Sequence, residues 1–192
     1  MEDASARERI LTAAEELFAE HGFDATPTSK IAERARVPKG LVHYYFRRKP
    51  DLLVALVDRL PDEHIDPNEV VVAGDVAKSL RQLLTELDRR QDSSLLLSSL
   101  LYREADTHNA VRDALQARFR QLVDLIRAVI VAARAQVSRR ADVDSAAELL
   151  ALAVSYQHSM ARHTTESEQS GAAMERELAF IADALALGAG AD

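Results

Sequence analysis

Pro27 and Pro38 constrain this chain more than any other feature near its start. Each suits the first turn of a helix, where no backbone amide is needed, and Pro38 disfavours helical geometry at Val37 before it. The residues between them are thus limited to one short helix, and a second short helix begins at Pro38. Ile31, Ala32 and Ala35 give the first a narrow inner face, with Thr26 expected as its cap. In the second, Val42 and Phe46 lie four apart and point inward, leaving Lys39, His43 and Tyr44 outside. Upstream, Ser5 and Glu8 have the spacing of a capping box, and Ile10, Ala14, Leu17 and Phe18 make an apolar stripe. Gly22 stands where that helix is expected to end. Two short helices joined by a tight turn, the second with a polar outer face, make the helix-turn-helix pattern. An ordinary three-helix knot with a solvated outer face has the same periodicity.

The rest of the chain also reads as helical. Ala and Leu dominate, aromatic residues are 5%, and no stretch sustains strand alternation. Helices are expected over 50–60, 75–90, 93–106, 109–136, 144–163 and 172–187, with polar loops at 61–74 and 164–171. Asp75 is the expected cap of the helix that follows it. The result is an all-α chain of about nine helices. An N-terminal helix-turn-helix domain takes residues 1–50, and a helical regulatory and dimerisation domain takes 51–192.

Charge divides along the same line. The net charge is −7, yet residues 26–50 hold seven basic residues against Glu33 alone, a local +6. Residues 51–192 carry 15 basic and 23 acidic residues, a net −8. A basic head attracts phosphate whatever the global charge, although short basic stretches also occur on solvated helix faces. Cysteine is absent, which excludes disulfides, thiolate metal sites and a cysteine nucleophile. The six histidines are scattered, with no HExxH and no pair at zinc spacing, and neither a Gly-rich phosphate loop nor G-x-S-x-G occurs. An enzyme is therefore not expected, and no cofactor or metal is assigned. No apolar run approaches the roughly 18 residues of a membrane span, and MEDASARERI does not resemble a signal peptide, so a cytoplasmic location is expected.

The run from Arg9 to Leu53, RILTAAEELFAEHGFDATPTSKIAERARVPKGLVHYYFRRKPDLL, resembles the N-terminal domain of TetR-type (tetracycline-repressor family) regulators. The shared frame is a first helix with Ala-Ala and Leu-Phe ending in Gly-Phe. A Thr-capped helix with Ile-Ala follows, then a Val-x-Lys-Gly turn, an aromatic cluster ending in Phe, and Lys-x-x-Leu-Leu. The resemblance covers about a quarter of the chain. Three positions depart from it. Arg36 stands where the family usually has Gly, Thr28 where an apolar residue is usual, and His43 at a common Tyr position.

The resemblance implies that residues 39–44 enter the major groove of double-stranded operator DNA. Lys39 would donate to guanine or phosphate, Leu41 would pack on a thymine methyl, Gly40 would permit close approach, and His43 lies on the same face. Tyr44, Tyr45 and Lys49 would contact phosphate, as would Thr26, Thr28 and the free amides at the start of the second helix. Each of these residues is otherwise an ordinary surface side chain.

A homodimer through the last two helices is also implied, and two apolar faces agree with it. One comprises Ala146, Leu149, Leu150, Ala153 and Val154, the other Leu178, Ile181, Ala182 and Leu185. The alternative is that both faces only close the monomer core. Family members commonly hold a small-molecule effector in the body, and the candidates here are Tyr102, Phe119, Tyr156, His158 and Met160, each of which could equally be plain core. The function so implied is a repressor released from a palindromic operator by a small molecule. The alternative is a TetR-type activator, or a regulator controlled by a protein partner.

Overall fold

The computed structural model describes residues 2–60, 65–91, 95–133, 140–160 and 167–187. Among them there are ten α-helices and no strands. In chain order these are α1 (Glu2–His21), α2 (Thr28–Arg34), α3 (Lys39–Tyr45), α4 (Lys49–Val57), α5 (Pro67–Val70), α6 (Val76–Gln91), α7 (Leu95–Glu104), α8 (Asn109–Ala133), α9 (Arg140–Met160) and α10 (Ser167–Leu187). None of the described helices is long and apolar enough to cross a membrane.

By packing, the chain divides into two compact units, residues 1–62 with 93–117 and residues 63–92 with 118–192. This differs from a boundary at residue 50, because α4, α7 and the first turns of α8 join the helices of the head in one core.

In the first unit α1 is the centre, packing on α2, α3, α4 and α7. Its stripe of Ile10, Leu11, Ala14, Leu17 and Phe18 is buried, as the periodicity requires. The helix ends at Gly22, whose φ of +83° is cheap for glycine and whose amide donates to Phe18 O at 2.9 Å. Its start differs from expectation: α1 begins at Glu2, so Ser5 lies within the helix and not at its N-cap position. Leu52, Leu53 and Leu56 of α4 are fully buried in the same core, with Leu97, Leu100 and Leu101 of α7. Arg48 caps α4, its amide donating to Asp51 Oδ2 at 2.9 Å, and Pro50 occupies the first turn.

The second unit is built on α6, the rest of α8, α9 and α10, with Leu80, Leu83, Ile126, Ile130, Leu150 and Leu178 among its core. Asp75 caps α6 as expected, Oδ1 accepting from Lys78 N at 2.8 Å. Ser79 is wholly buried and satisfied: its hydroxyl donates to Asp75 O at 2.7 Å and accepts from Val72 N at 2.8 Å. The expected loop 61–74 holds the one-turn helix α5, capped by Asp66 accepting from Asn68 N at 2.9 Å. Val70 and Ile65 sink into the core and hold the segment down. Helices α9 and α10 begin earlier than expected, at Arg140 and Ser167, because polar residues there extend the helix without an apolar stripe to mark it. Ion pairs link the helices: Arg81 of α6 reaches Glu175 of α10 at 2.7 Å, and Arg127 of α8 reaches Asp144 of α9 at 2.6 Å.

Candidate nucleic-acid interface

Helix α2 stops because the chain turns left-handed. Arg36 has φ +54°, the only positive φ of a non-glycine among the described residues. Its amide donates to Glu33 O at 3.1 Å, and the Val37 amide to Ala32 O at 3.0 Å. These paired bonds are a Schellman motif, with Arg36 at the position that usually favours glycine. Pro38 then precedes α3, fixed from inside by buried Val42 and Phe46 against Ile31, Ala32 and Ala35.

The outer face of α3 is open. Lys39, Gly40, His43 and Tyr44 are exposed, Tyr44 to 73%. Leu41 and Tyr45 are half-buried, and Tyr45 packs edge-on to Tyr44 with centroids 5.2 Å apart. A side chain at Gly40 would meet nothing within 4 Å. The fold itself therefore does not require glycine there, and any close approach that does must come from outside the chain.

Two of the proposed phosphate contacts are placed differently from expectation. Thr26 is fully buried, and its hydroxyl donates to Gly22 O at 2.8 Å, with Leu17 O at 3.2 Å. It does not cap α2, whose N-cap is Pro27 and whose first residue is the half-buried Thr28. Burial turns the hydroxyl toward the end of α1, where it serves helix carbonyls. Lys49 is half-buried with Nζ 4.2 Å from the Phe23 ring centroid, and it donates to Asp24 O at 3.2 Å. Desolvation there lowers its pKa from the usual lysine value, against the raising effect of Asp24 and Glu104.

The basic residues of 26–50 divide by what they hold. Arg34 pairs with Glu16 at 2.9 Å and Glu20 at 3.4 Å, and those hydrogen bonds raise its pKa. Arg48 pairs with Asp51 at 3.1 Å, and Lys49 is engaged as described. Lys30, Arg36, Lys39 and Arg47 are exposed and have no partner among the described residues. The sequence reading chose Lys39 from this set and left out the other three, because spacing does not show which cations are already paired.

The comparisons follow the same segment. Residues 10–56 match the model of "Bacterial regulatory proteins, tetR family". This span holds α2, the turn and α3 together with the core that fixes them. This segment is a TetR-family N-terminal domain. The fatty acid metabolism regulator protein of Bacillus subtilis is 36% identical over 61 residues, 32% of this chain and 31% of that protein. The regulator TtgR of Pseudomonas putida is 34% identical over 88 residues, 42% of each chain. The matches thus span less than half the length of these relatives. Salmonella enterica GusR shares the fold, with a TM-score of 0.71 and 20% identity over 93% of this chain and 95% of that one.

The candidates for effector binding divide between the two units. Tyr102 is 52% exposed and belongs to the first unit; Tyr156 is 68% exposed and belongs to the second. Phe119 is half-buried against the core of the second unit. His158 and Met160 lie on the last turn of α9, with side chains outside the described residues. The faces assigned to dimerisation are also split. Ala146, Leu150, Val154, Leu178, Ile181 and Leu185 are buried in the second unit's own core, and Ala153 and Ala182 are half-buried. Leu149, Leu152, Tyr156 and Phe180 stay exposed. Leu149, Ala153, Phe180 and Ile181 line one groove between α9 and α10.

Proposed function

We propose that this chain is a sequence-specific DNA-binding transcriptional regulator, acting in the cytoplasm as a homodimeric repressor that a small molecule releases from a palindromic operator. The observation that carries the reading is α3: anchored from inside by Val42 and Phe46, it presents Lys39, Gly40, His43 and Tyr44 outward, with three more uncommitted cations, Lys30, Arg36 and Arg47, among the described residues of the same segment. That division of labour is what a recognition helix in a major groove needs. Leu41, Tyr45 and Thr28 flank it as lesser contacts. One head reads only a few base pairs, so two are needed, about one helical turn apart. The exposed apolar residues Leu149, Leu152, Tyr156 and Phe180 on the last two helices support pairing there, since such patches mark interaction surfaces. Residues 1–50 would read DNA, and 51–192 would dimerise and hold the effector.

Selection of bound duplexes from a random pool tests the reading. The expected product is a palindrome with half-sites about 10 base pairs apart, whose affinity falls when Lys39 or Tyr44 is replaced by Ala. Recovery of unrelated sequences, with no preference over a scrambled duplex, overturns it. For the effector, compounds that raise the melting temperature are added to operator titrations. A hundredfold release corresponds to about 2.7 kcal/mol of coupling, and a stabilising compound that leaves operator affinity unchanged refutes ligand control by that compound.

A further inference from the structure

We propose that the guanidinium of Arg36 is a phosphate anchor on bound DNA, an inference that rests on the DNA-binding reading above. Position 36 is left-handed, with φ +54°, where an L side chain is strained and glycine is not. Nothing in the turn demands an arginine. Its two closing hydrogen bonds come from the backbone amides of Arg36 and Val37. The carbonyl of Ala35 is served by Arg9, whose Nε donates to it at 3.3 Å.

An internal contact of the side chain would account for the arginine, and none exists among the described residues. The other arginines of the first sixty residues show how unusual this is. Arg7 lies over the Phe46 ring at 5.7 Å, Arg9 covers Ala35, Arg34 holds Glu16 and Glu20, Arg48 holds Asp51, and Arg59 holds Glu15 at 3.0 Å. Among the described residues only Arg36 and Arg47 are exposed arginines of this stretch with no partner. Arg36 is also the one with a conformational cost, so its side chain is kept for a partner outside the chain.

Position selects that partner. Arg36 lies three residues before Lys39, the first residue of α3, and the N-terminal end of a recognition helix is what meets the groove. A guanidinium offers a planar fork of donors matched to phosphate oxygens. Phosphate contacts fix orientation and carry no sequence information, so this anchor adds affinity without adding specificity.

The test compares wild type with Arg36→Gly and Arg36→Asn on the selected operator and on a scrambled duplex, at several salt concentrations, with thermal melts of each protein. Glycine removes charge and strain; asparagine removes the charge, tolerates the left-handed turn and adds less flexibility. Both variants are expected to bind both duplexes more weakly by a common factor, with a salt slope shallower by about 0.9. Arg36→Gly is expected to melt higher than wild type. An unchanged slope in both variants overturns the anchor, as does a loss with glycine alone, which is an effect of flexibility. A loss confined to the operator would make Arg36 a base reader instead, and a lower melting temperature for Arg36→Gly would give it an internal role. Both results overturn the proposal. Failure of the wild type to bind any duplex sinks the regulator reading itself and is recognised before any variant is compared.

Discussion

The hydroxyl of Thr26 and the ammonium of Lys49 are polar groups that a linear reading offers to DNA and that the fold uses within itself. Thr26 joins the end of α1 to the start of α2 through Gly22 O and Leu17 O. Thr26→Val keeps the shape and removes the donor, so that Gly22 O and Leu17 O lose this hydrogen bond. It is expected to cost about 1–3 kcal/mol in denaturant unfolding and to leave the salt slope of DNA binding unchanged. A variant of full stability whose slope is shallower by about one would return Thr26 to the phosphate contacts. Lys49 packs its cation on Phe23, and Phe23 meets His108 edge-on with ring centroids 4.9 Å apart. The start of α4 is thereby tied both to the loop after α1 and to the residue before α8. At Arg36 the two readings coincide: a position where the family usually has glycine is the one non-glycine with positive φ among the described residues.

Helices form here for more reasons than an apolar stripe. Helix α6 carries a charge cluster on its last turns, where Glu86 accepts from Arg89 Nη2 and Arg90 Nε, both at 2.7 Å. These hydrogen bonds hold the Glu86 carboxyl at about 2, below its ordinary value of 4.5. A depressed carboxylate pKa makes a contribution to stability that is complete above the ordinary value and is lost as pH falls toward about 2. Carbon NMR of the Glu86 carboxyl is expected to show it still ionised near pH 3, roughly midway between the two values. Replacing Arg89 and Arg90 by Gln is expected to move the titration back up. A midpoint near 4.5 in the wild type contradicts the pairing. Helices α9 and α10 start upstream of their apolar stripes for a related reason: polar residues lengthen a helix at little cost, whereas only buried residues leave a periodic signature.

For the molecule as an assembly, α9 and α10 must serve two surfaces at once. Leu150 and Ile181 close the core of their own unit, so a charge at either is expected to unfold it. Leu149 at 61% exposure and Phe180 at 73% contribute nothing comparable within one chain. Leu149→Glu and Phe180→Glu are therefore expected to leave helicity and unfolding nearly unchanged while shifting sedimentation from twice the chain mass to the single chain. They are also expected to weaken operator binding far more than binding of one half-site. A variant that remains dimeric places the seam elsewhere, and a wild-type monomer that binds the palindrome tightly removes the need for one.

What the sequence by itself determined is the local and periodic part of this protein. The all-helical class, the two short helices set by Pro27 and Pro38, the end of α1 at Gly22, the Asp75 cap and the inward pair Val42 and Phe46 all depend on residues within a turn or two of each other. Backbone sterics and side-chain spacing act at that range, so they can be read without a fold. Tertiary structure decided which of several similar residues are spent inside. Burial of Thr26, the seat of Lys49 on Phe23, the choice of Leu149 over Leu150 as the exposed leucine, and the pairing of Arg34 but not Arg36 depend on helices brought together from distant parts of the chain. A helical stripe wider than one contact line has more than one way to face a neighbour, and a cation carries the same charge whether paired or free. Only the packed positions of α1, α4, α9 and α10 distinguish those states.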